Sequence, residues 1–304
     1  MKEIRMVVKG RELVTSAKPE YVEGKLLVPL QETAHALGIL GRWDGASFVL
    51  QGKQQISVFP QQAFYLAGGA RRNLPLPTKV NEGKLLVPVR LLTDNFELKV
   101  LWDRLSGAVL FMQPEKILAG AKIVLDPGHG GKDLGGCGEL ISEKDFALAL
   151  GRHLGQLLSA AGANVVYTRR RDHYFSSAKR ARLTNAQEPE LFVSIHGNYF
   201  HDLAAGGIET YYYRSWPGQK LAAFLQRELC LELNLEDRGA REASFQLLRT
   251  IKAPAALVKM LYLSNPAEER LAADGWFRQR AILALYRGIK TFLAGERQFC
   301  SSVN

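Results

Sequence analysis

The most informative segment of this chain is Ile123-Val-Leu-Asp-Pro-Gly-His-Gly-Gly-Lys132. Residues 123–125 form a short apolar run with two β-branched side chains, and Pro127 and Gly128 interrupt it. The pattern therefore predicts a buried strand rather than a helix. Because α/β folds place ligands just beyond the carboxyl ends of their strands, His129 is a candidate functional residue. The alternative is a polar residue of an ordinary glycine-rich turn.

Strands and helices alternate through the second half of the chain. The pattern predicts strands at residues 122–126, 164–168, 191–195, 208–213, 246–249 and 256–263, and helices at 144–161, 221–233 and 277–293. This alternation is typical of an α/β fold, in which an open, mostly parallel sheet has helices on both faces. We therefore expect polar residues at the carboxyl ends of several strands to lie along one edge of the sheet.

The first third of the chain is an internal duplication. Glu23-Gly-Lys-Leu-Leu-Val-Pro29 recurs without change as Glu82-Gly-Lys-Leu-Leu-Val-Pro88, and Trp43-Asp44 recurs at the same offset as Trp102-Asp103. Each copy predicts a turn, a short strand, a helix and a hairpin that contains the tryptophan. Two such units can bury each other's apolar faces.

These patterns divide the chain into two domains. We predict a smaller, duplicated α+β domain at residues 1–113, with repeats at about 23–51 and 82–113, a linker at 114–120, and the α/β domain at 121–295. A length of 304 residues suits two domains, and a hydrophobic content of 47% is ordinary for a soluble globular protein.

Charge and cysteine content exclude some classes of protein. The net charge of +10 permits nucleic acid, an anionic membrane surface or an anionic wall polymer as partner, and does not choose among them. No apolar run approaches the roughly 18 residues of a membrane-spanning helix. Cys137, Cys230 and Cys300 lie far apart and predict no disulfide framework.

Two histidines follow buried strands, namely His129 after the first strand and His196 after the strand at 191–195. Between them, Ser142-Glu-Lys-Asp145 has the form of a helix-capping box, which places Glu143 at the helix N-terminus facing the same edge of the sheet. Two imidazoles and one carboxylate are typical ligands of catalytic zinc, which activates a bound water and polarises a carbonyl group. The alternatives are that Glu143 only complements the helix dipole and that His196 is an ordinary loop residue.

The surroundings of these residues suggest further roles. Asp126 and Asn198 are candidates for hydrogen bonds that fix the tautomer of a histidine ring. The glycine-rich loop could instead bind phosphate, but a P-loop needs serine or threonine after its lysine, and Lys132 is followed by Asp133. The chain also contains no G-x-G-x-x-G sequence in this loop, so nucleotide binding is not expected.

The duplicated domain resembles the copper amine oxidase N-terminal-like domain. The resemblance lies in the Leu-Val-Pro stretches, the helices that follow them and the Trp-Asp hairpins. It implies an accessory or binding unit of bacterial surface proteins. Copper is not expected, because the repeats show no cluster of ligands and His35, on a predicted helix, is the only histidine in the domain.

Residues 121–293 resemble the catalytic domain of zinc-dependent N-acetylmuramoyl-L-alanine amidases of type 3. The matching motifs, in family order, are Asp126-Pro-Gly-His-Gly-Gly-Lys-Asp133, Glu143-Lys-Asp145, Thr168-Arg169 with Asp172, Arg180, Ser194-Ile-His-Gly-Asn198, Gly207-Ile-Glu-Thr-Tyr-Tyr-Tyr213, Asp237-Arg-Gly239, residues 245–249 and Leu263-Ser-Asn-Pro266.

This resemblance implies one Zn²⁺ on His129, Glu143 and His196, and hydrolysis of the amide between N-acetylmuramic acid and L-alanine. The further residues that it places around the metal or the substrate are Asp126, Asn198 and Arg180. It implies peptidoglycan as the partner rather than nucleic acid, a monomer, and a location outside the cytoplasm at the cell wall. The N-terminal residues have no apolar segment of signal-peptide length, which leaves a cytoplasmic location open.

One position departs from the family pattern. The family carries a catalytic glutamate in Val-Glu-x-Gly-Phe-Leu-Ser-Asn, whereas this chain reads Val258-Lys-Met-Leu-Tyr-Leu-Ser-Asn265. Lys259 takes the place of the glutamate, and Leu261 takes that of the glycine. The glutamate is the general base that accepts the proton of water and passes it to the leaving amine. A protonated lysine cannot accept that proton.

Three interpretations of Lys259 stay open at this point. The domain could be a pseudoenzyme that still binds zinc or glycan. Lys259 could be uncharged, since burial and a nearby dication both favour the neutral amine, and could then act as the base or as a fourth ligand. Alternatively, another carboxylate, Glu209 or Glu242, could serve. The sequence therefore supports two hypotheses, a zinc-dependent amidase and a catalytically silent protein that binds or regulates wall material.

Overall fold

The computed structural model describes residues 4–103 and 106–302, with side chains up to Glu296. The chain divides into two compact units, Met1–Gln113 and Pro114–Asn304. Cys137 and Cys230 are free thiols, and the side chain of Cys300 lies outside the described residues.

The first unit consists mainly of short strands. Its elements are β1 (Arg5–Val8), β2 (Arg11–Leu13), β3 (Glu20–Val22), β4 (Lys25–Pro29), α1 (Leu30–Leu37), β5 (Gly41–Asp44), β6 (Ser47–Gln51), β7 (Gln55–Val58), β8 (Phe64–Ala67), β9 (Ala70–Asn73), β10 (Lys79–Asn81), β11 (Lys84–Pro88), α2 (Arg90–Asn95), β12 (Lys99–Asp103) and β13 (Ala108–Met112). The described strands form sheets with the orders β12-β13-β1-β2, β10-β11-β4-β3 and β5-β6-β7-β8-β9.

The two sequence repeats meet through their identical strands. The identical strands β4 and β11 pair with each other in antiparallel register, so that Val28 lies opposite Val87, and Leu27 lies opposite Pro88. In both copies the residues before the strand form the same turn, in which Glu23 and its counterpart Glu82 have φ of 49°. A turn with positive φ is typical of a tight β-hairpin. The predicted order of turn, strand, helix and tryptophan hairpin is therefore confirmed in both copies.

The second unit is built around one sheet. Its elements are β14 (Lys122–Pro127), α3 (Glu143–Ala160), β15 (Asn164–Tyr167), α4 (Ser177–Asn185), β16 (Leu191–Asn198), β17 (Ile208–Tyr212), α5 (Trp216–Leu233), β18 (Asp237–Glu242), α6 (Gln246–Thr250), β19 (Ala255–Tyr262), α7 (Pro266–Ala273) and α8 (Gly275–Ser302). The strand order is β15-β14-β16-β19-β17-β18, and every described pair is parallel except β17 with β19. The predicted mostly parallel sheet is confirmed.

Helices cover both faces of this sheet, as predicted. On one face α3 and α5 pack against the strands and against α8. On the other face α4 and α6 contact each other, and Ala181 of α4 and Leu248 of α6 lie in one cluster with Val124, Phe192 and Leu257 of the sheet. Neighbouring residues of a strand point to opposite faces, so Ile123 and its alternate neighbours are buried on the side of α3.

The strand predicted at residues 246–249 is wrong, because these residues form the helix α6. A short apolar run does not distinguish a strand from a buried helical turn by its periodicity. Here Leu247 and Leu248 are both buried, and the hydroxyl of Thr250 donates to the carbonyl oxygen of Gln246, which closes the turn. Sequence analysis also missed α4, β18 and α7, since all three are short and rich in charged residues.

Residues 114–120 pack as part of the second unit. Leu118 is buried, and the amide of Glu115 donates to the carbonyl oxygen of Ala161 at 2.9 Å. The hydroxyl of the fully buried Tyr286 donates to a carboxylate oxygen of Glu115 at 2.6 Å. This segment is therefore fixed to the α/β unit.

A buried ion pair closes the carboxyl end of β14. The carboxylate of Asp126 accepts hydrogen bonds from Thr168, from Ser194 at 2.6 Å and from Nη1 of Arg180 at 2.7 Å. Burial alone would raise the pKa of Asp126, but the charge of Arg180 and these hydrogen bonds outweigh it and hold that pKa below its ordinary value.

Replacing this carboxylate should destabilise the second unit in a pH-dependent way. We expect Asp126→Asn to lower the free energy of unfolding by about 3–5 kcal/mol at neutral pH, because Arg180 would be buried without its counter-charge. The pKa of Asp126 is lower in the folded state than its ordinary value of 3.8. The contribution of the carboxylate is therefore complete above pH 3.8 and is lost as the pH falls through the lower, folded-state pKa.

Urea unfolding of parent and variant at neutral and acidic pH measures this difference. The difference in the free energy of unfolding between the parent and Asp126→Asn should become smaller below pH 3.8. Asp172→Asn is the matched control, because the carboxylate of Asp172 pairs with Lys144 but is itself 46% exposed, and it should change stability far less. An equal effect of both substitutions, or a gap that does not narrow in acid, would contradict the account.

Candidate metal centre

Three side chains direct ligand atoms at one point beside the carboxyl ends of β14 and β16. Nε2 of His129 lies 3.0 Å from Oε1 of Glu143, and Nδ1 of His196 lies 2.8 Å from the same oxygen. The two ring nitrogens are 3.2 Å apart. The three groups can together hold a metal ion. The sheet and helix thus bring together the His129, Glu143 and His196 that the sequence singled out.

The loop that carries His129 is fixed by two buried arginines. Arg180 donates to the carbonyl oxygens of Pro127 at 2.8 Å and of His129 at 2.5 Å. Arg169 donates to the carbonyl oxygens of Pro127 at 2.9 Å and of Gly128 at 2.6 Å. His129 itself has φ of 57°, which few non-glycine residues adopt, so these bonds hold a backbone that would otherwise relax.

Glu143 is the first residue of α3 and is almost completely buried. Ser142 is the N-cap and accepts from the amide of Asp145, so the predicted cap is confirmed. The amide of Gly136 donates to Oε2 of Glu143 at 2.8 Å, and the amide of Glu143 donates to the carbonyl oxygen of Gly136 at the same distance. This reciprocal pair leaves Oε1 free to face the histidines.

The loop before α3 is tied to a distant helix by Glu269. This buried carboxylate of α7 accepts from the amides of Leu140 and Ile141 at 2.5 and 3.2 Å. The contact joins residues that are more than a hundred positions apart, so sequence patterns give no sign of it.

His196 stands within β16, next to the glycine that follows β14. A Cβ atom on Gly128 would collide with the imidazole ring of His196. A Cβ atom on Gly135 would likewise meet Oε2 of Glu143 and the ring of His129. Gly128 and Gly135 therefore leave the space in which the three side chains meet.

The hydrogen-bond partner of Nδ1 of His129, the ring nitrogen that does not face Glu143, differs from the prediction. Nδ1 of His129 lies 2.9 Å from Oδ1 of Asp133, and a proton on Nδ1 leaves Nε2 free to bind a metal. Asp126 bonds with Thr168, Ser194 and Arg180 rather than with a histidine ring. Asn198 likewise bonds elsewhere, so the prediction that Asp126 and Asn198 contact the rings is wrong.

Electrostatics keep Glu143 ionised. Burial by itself raises the pKa of Glu143, but hydrogen bonds from His129 and His196 and their charges together outweigh burial and lower that pKa far below its ordinary range. For His129, burial lowers the pKa, while Glu143 and then Asp133 raise it, with a net increase. A bound cation would replace these protons as the counter-charge of Glu143.

A cavity of about 360 Å³ opens beside the three ligands. Its lining includes Asp133, Tyr174 and Tyr199 as well as Lys259. Two further lysines contact aromatic residues of this lining, with Nζ of Lys132 over the ring of Tyr174 and Nζ of Lys179 over that of Phe175. The cavity therefore offers aromatic surface and positive charge around a potential metal ion.

Lys259 reaches this cavity and does not point away from it. In the sheet it is the register partner of His196 on one side and of Glu209 on the other. Its Nζ donates to Oδ1 of Asn198 at 3.2 Å, and Nδ2 of the same amide donates to Oε1 of Glu209 at 2.5 Å. Asn198 thus links the lysine to the carboxylate. Among the described residues, no carboxylate oxygen lies within 4.0 Å of Lys259.

The carboxylates that could replace the family glutamate lie outside the cavity. Glu209 is buried and accepts from Asn198 and from the hydroxyl of Tyr262 at 3.2 Å. Glu242 is half exposed at the end of β18, 3.8 Å from Nε of Arg214. Within the described part of the chain, neither residue lines the cavity.

The backbone conformation of Leu261 explains why the family pattern has glycine at this position. It has φ of 47°, at the irregularity where the pairing of β19 with β16 shifts register. A side chain in this left-handed region costs roughly 1–2 kcal/mol, which glycine avoids. Leu261 is nevertheless fully buried, and its packing offsets this strain.

Comparisons with known proteins match both units. Residues 123–291 match the N-acetylmuramoyl-L-alanine amidase family, and residues 7–111 match the copper amine oxidase N-terminal domain. The chain is 30% identical over 204 residues to the uncharacterized protein YqiI of Bacillus subtilis, a match that covers 64% of this chain and 98% of YqiI.

Two further relatives carry more specific names. The chain is 34% identical over 180 residues to the probable cell wall amidase LytH of Staphylococcus epidermidis, covering 58% of this chain and 60% of LytH. The solved catalytic domain of CwlV, an N-acetylmuramoyl-L-alanine amidase from Bacillus (Paenibacillus) polymyxa, is 33% identical, with a TM-score of 0.56 over 57% of this chain and 98% of that domain. The match to the N-acetylmuramoyl-L-alanine amidase family spans more than half of the residues of this chain, so the chain belongs to that family.

Proposed function

We propose that the second unit binds one Zn²⁺ through Nε2 of His129, Oε1 of Glu143 and Nδ1 of His196. A tetrahedral zinc ion with bonds of about 2.0–2.2 Å separates its ligand atoms by about 3.3–3.5 Å. The observed separations of 2.8–3.2 Å need only a small outward movement to meet that value. Nitrogen and carboxylate ligands without a thiolate suit zinc in a catalytic site, where a fourth position stays open.

The reaction that this site supports best is hydrolysis of the amide between N-acetylmuramic acid and L-alanine in peptidoglycan. Zinc bound here would activate water and polarise the amide carbonyl. The observation that carries the proposal is the convergence of three ligand atoms in an open, aromatic-lined cavity. Lys132 and Lys179, which contact aromatic residues of the cavity lining, would attract the carboxylates of the peptide stem.

The supporting residues would hold this geometry. Arg180 and Asp126 would fix the backbone of His129, and Asp133 would fix its tautomer. Asn198 would hold the amine of Lys259 toward the cavity. A protonated amine there can donate a hydrogen bond to a carbonyl oxygen that becomes negative, but only the neutral amine could act as the base.

A second candidate function follows from Lys259. A cationic donor at the position of the general base would leave a site that binds zinc and peptidoglycan without turnover. The carboxylates of the described cavity lining favour this alternative, because Asp126 is bound to Arg180, Asp133 to His129, and Glu143 to both histidines, while Glu209 lies outside the lining.

We propose the cell wall as the place of action. The relatives named as cell wall amidases support it, and so does the excess of positive charge. No described helix is long and apolar enough to cross a membrane. We propose a monomeric protein that acts on the wall polymer rather than on nucleic acid.

Elemental analysis of the purified chain tests the metal site. We expect close to one zinc per chain in the parent and almost none in His129→Ala, since two ligands hold zinc far less tightly than three. His35→Ala is the control, because His35 is exposed on α1 and should leave the zinc content unchanged. Equal zinc in parent and His129→Ala would contradict the proposed ligands.

The glycine beside His196 gives a steric test. We expect Gly128→Ala to weaken zinc affinity about 10–100-fold, because the new methyl group displaces the imidazole ring. Gly295→Ala places its methyl group in open space and should have no effect. Competition with a zinc chelator measures both affinities, and unchanged affinity in Gly128→Ala would contradict the site geometry.

Release of stem peptides from purified peptidoglycan tests the reaction. We expect the parent to expose new L-alanine amino termini, and His129→Ala to expose none. We expect Lys259→Glu to raise the rate, by as much as about 10²–10⁴-fold if a general base is all that the parent lacks. Lys259→Met is the control that removes the charge without supplying a base.

The outcomes separate the two functions. Release by the parent supports the amidase. Bound zinc without release in the parent, together with release by Lys259→Glu, would contradict the amidase and establish the silent binding protein.

A further inference from the structure

The first unit contains a cleft whose residues are separate in sequence from those of the metal centre. It has a volume of about 290 Å³ and is lined by residues of both repeats. Tyr21 stands on β3 and Trp102 on β12, which are edge strands of two different sheets. Their rings meet edge to face at 89°, with centroids 5.7 Å apart. The two side chains are 44% and 45% exposed, so both rings offer apolar surface to a ligand.

The duplication provides an internal comparison for this cleft. In the first copy Trp43 occupies the position of Trp102, and Phe48 faces Trp43 across the hairpin as Val109 faces Trp102. The ring of Phe48 packs edge to face on Trp43, with centroids 5.5 Å apart. The first copy therefore fills the space beside its tryptophan with a ring of its own.

A second pair of equivalent positions explains why the first copy has room for the ring of Phe48. A Cβ atom on Gly41 would collide with the ring of Phe48, so Gly41 gives this ring its room. The corresponding residue of the second copy is Val100, which lines the cleft together with Val109. Tyr21 has Val80 as its counterpart in the other copy. The cleft beside Trp102 thus has a smaller residue opposite its tryptophan, and Tyr21 of the first copy adds an aromatic ring at its rim.

The rim also carries hydrogen-bond donors. Lys25 and Arg90 both line the cleft, and both are exposed. Arg90 is paired with Asp94 only at the surface, where such a pair is easily rearranged. A ligand for this cleft should combine a flat apolar face, for the exposed rings of Trp102 and Tyr21, with acceptor oxygens for two cations.

We propose that this cleft binds the glycan strand of peptidoglycan, with one N-acetylated sugar ring stacked on Trp102 beside Tyr21. A pyranose ring has an apolar C–H face, and its acetamido and carboxylate oxygens are acceptors for Lys25 and Arg90. Concave sites with aromatic walls and few polar groups are typical of small-ligand recognition. The choice of peptidoglycan as the ligand rests on the proposed function of the second unit. The presence of an aromatic cleft in the first unit does not depend on that function.

Calorimetric titration of the intact chain with N-acetylglucosamine tetramer, a peptide-free glycan, tests the proposal. We expect binding by the parent and at least a tenfold loss of affinity in Trp102→Ala and in Tyr21→Val, which installs the residue of the other copy. Val109→Phe should abolish binding, because Val100 stands where Gly41 makes room for Phe48 in the other copy and the new ring would therefore enter the cleft. Trp43→Ala is the matched control, because Trp43 is 47% exposed and holds the same place in its hairpin, and it should bind as the parent does.

The failure of this proposal is distinguishable from failure of the amidase. His129→Ala should keep its affinity for the tetramer even though it loses zinc. Absence of tetramer binding by the parent, an equal loss in Trp43→Ala, or binding of polyproline in place of the tetramer would overturn the proposal. Because Tyr21→Val changes only an exposed side chain, its result holds even where Val109→Phe fails to fold.

Discussion

The pairing of β14 with β16 is the constraint on which the metal centre depends. Asp126 lies opposite Ser194 and Pro127 opposite Ile195, so His129, in the loop just after β14, comes to lie beside His196, which is still within β16. The chain reaches β15 on one side of β14 and then crosses to β16 on the other. Ligands of α/β sheets bind at this kind of topological switch point, because the loops there diverge and leave a crevice. The N-terminus of α3 faces the same crevice and supplies Glu143.

Much of this arrangement could be predicted from the sequence. The alternation of strands and helices predicts the parallel sheet, and histidines placed just after two apolar strands predict which loops meet. The cap at Ser142 predicts where α3 begins and hence where Glu143 lies. Each of these inferences depends on residues that are close in sequence, which is why they could be made without coordinates.

What could not be predicted depends on contacts across long stretches of chain. Arg169 and Arg180 hold the backbone of the His129 loop, and Glu269 holds the loop before α3, yet nothing in their local sequence indicates these partners. The helix α6 was missed because two adjacent leucines fit a buried strand equally well. The link from Lys259 through Asn198 to Glu209 required the register of three strands, which local pattern does not supply. The difference between the two tryptophan hairpins likewise required knowing which residue faces each ring.

The central claim is that His129, Glu143 and His196 form one zinc site, and X-ray absorption at the zinc edge tests it most directly. The account predicts a four-coordinate ion with two imidazole nitrogens at about 2.0–2.1 Å, oxygen ligands at about 2.0–2.2 Å and no sulfur. Exposed Cys137 lies in the loop before α3, so a sulfur ligand at about 2.3 Å would be the clearest alternative. Such a ligand, or a shell of oxygens alone, would contradict the site described here.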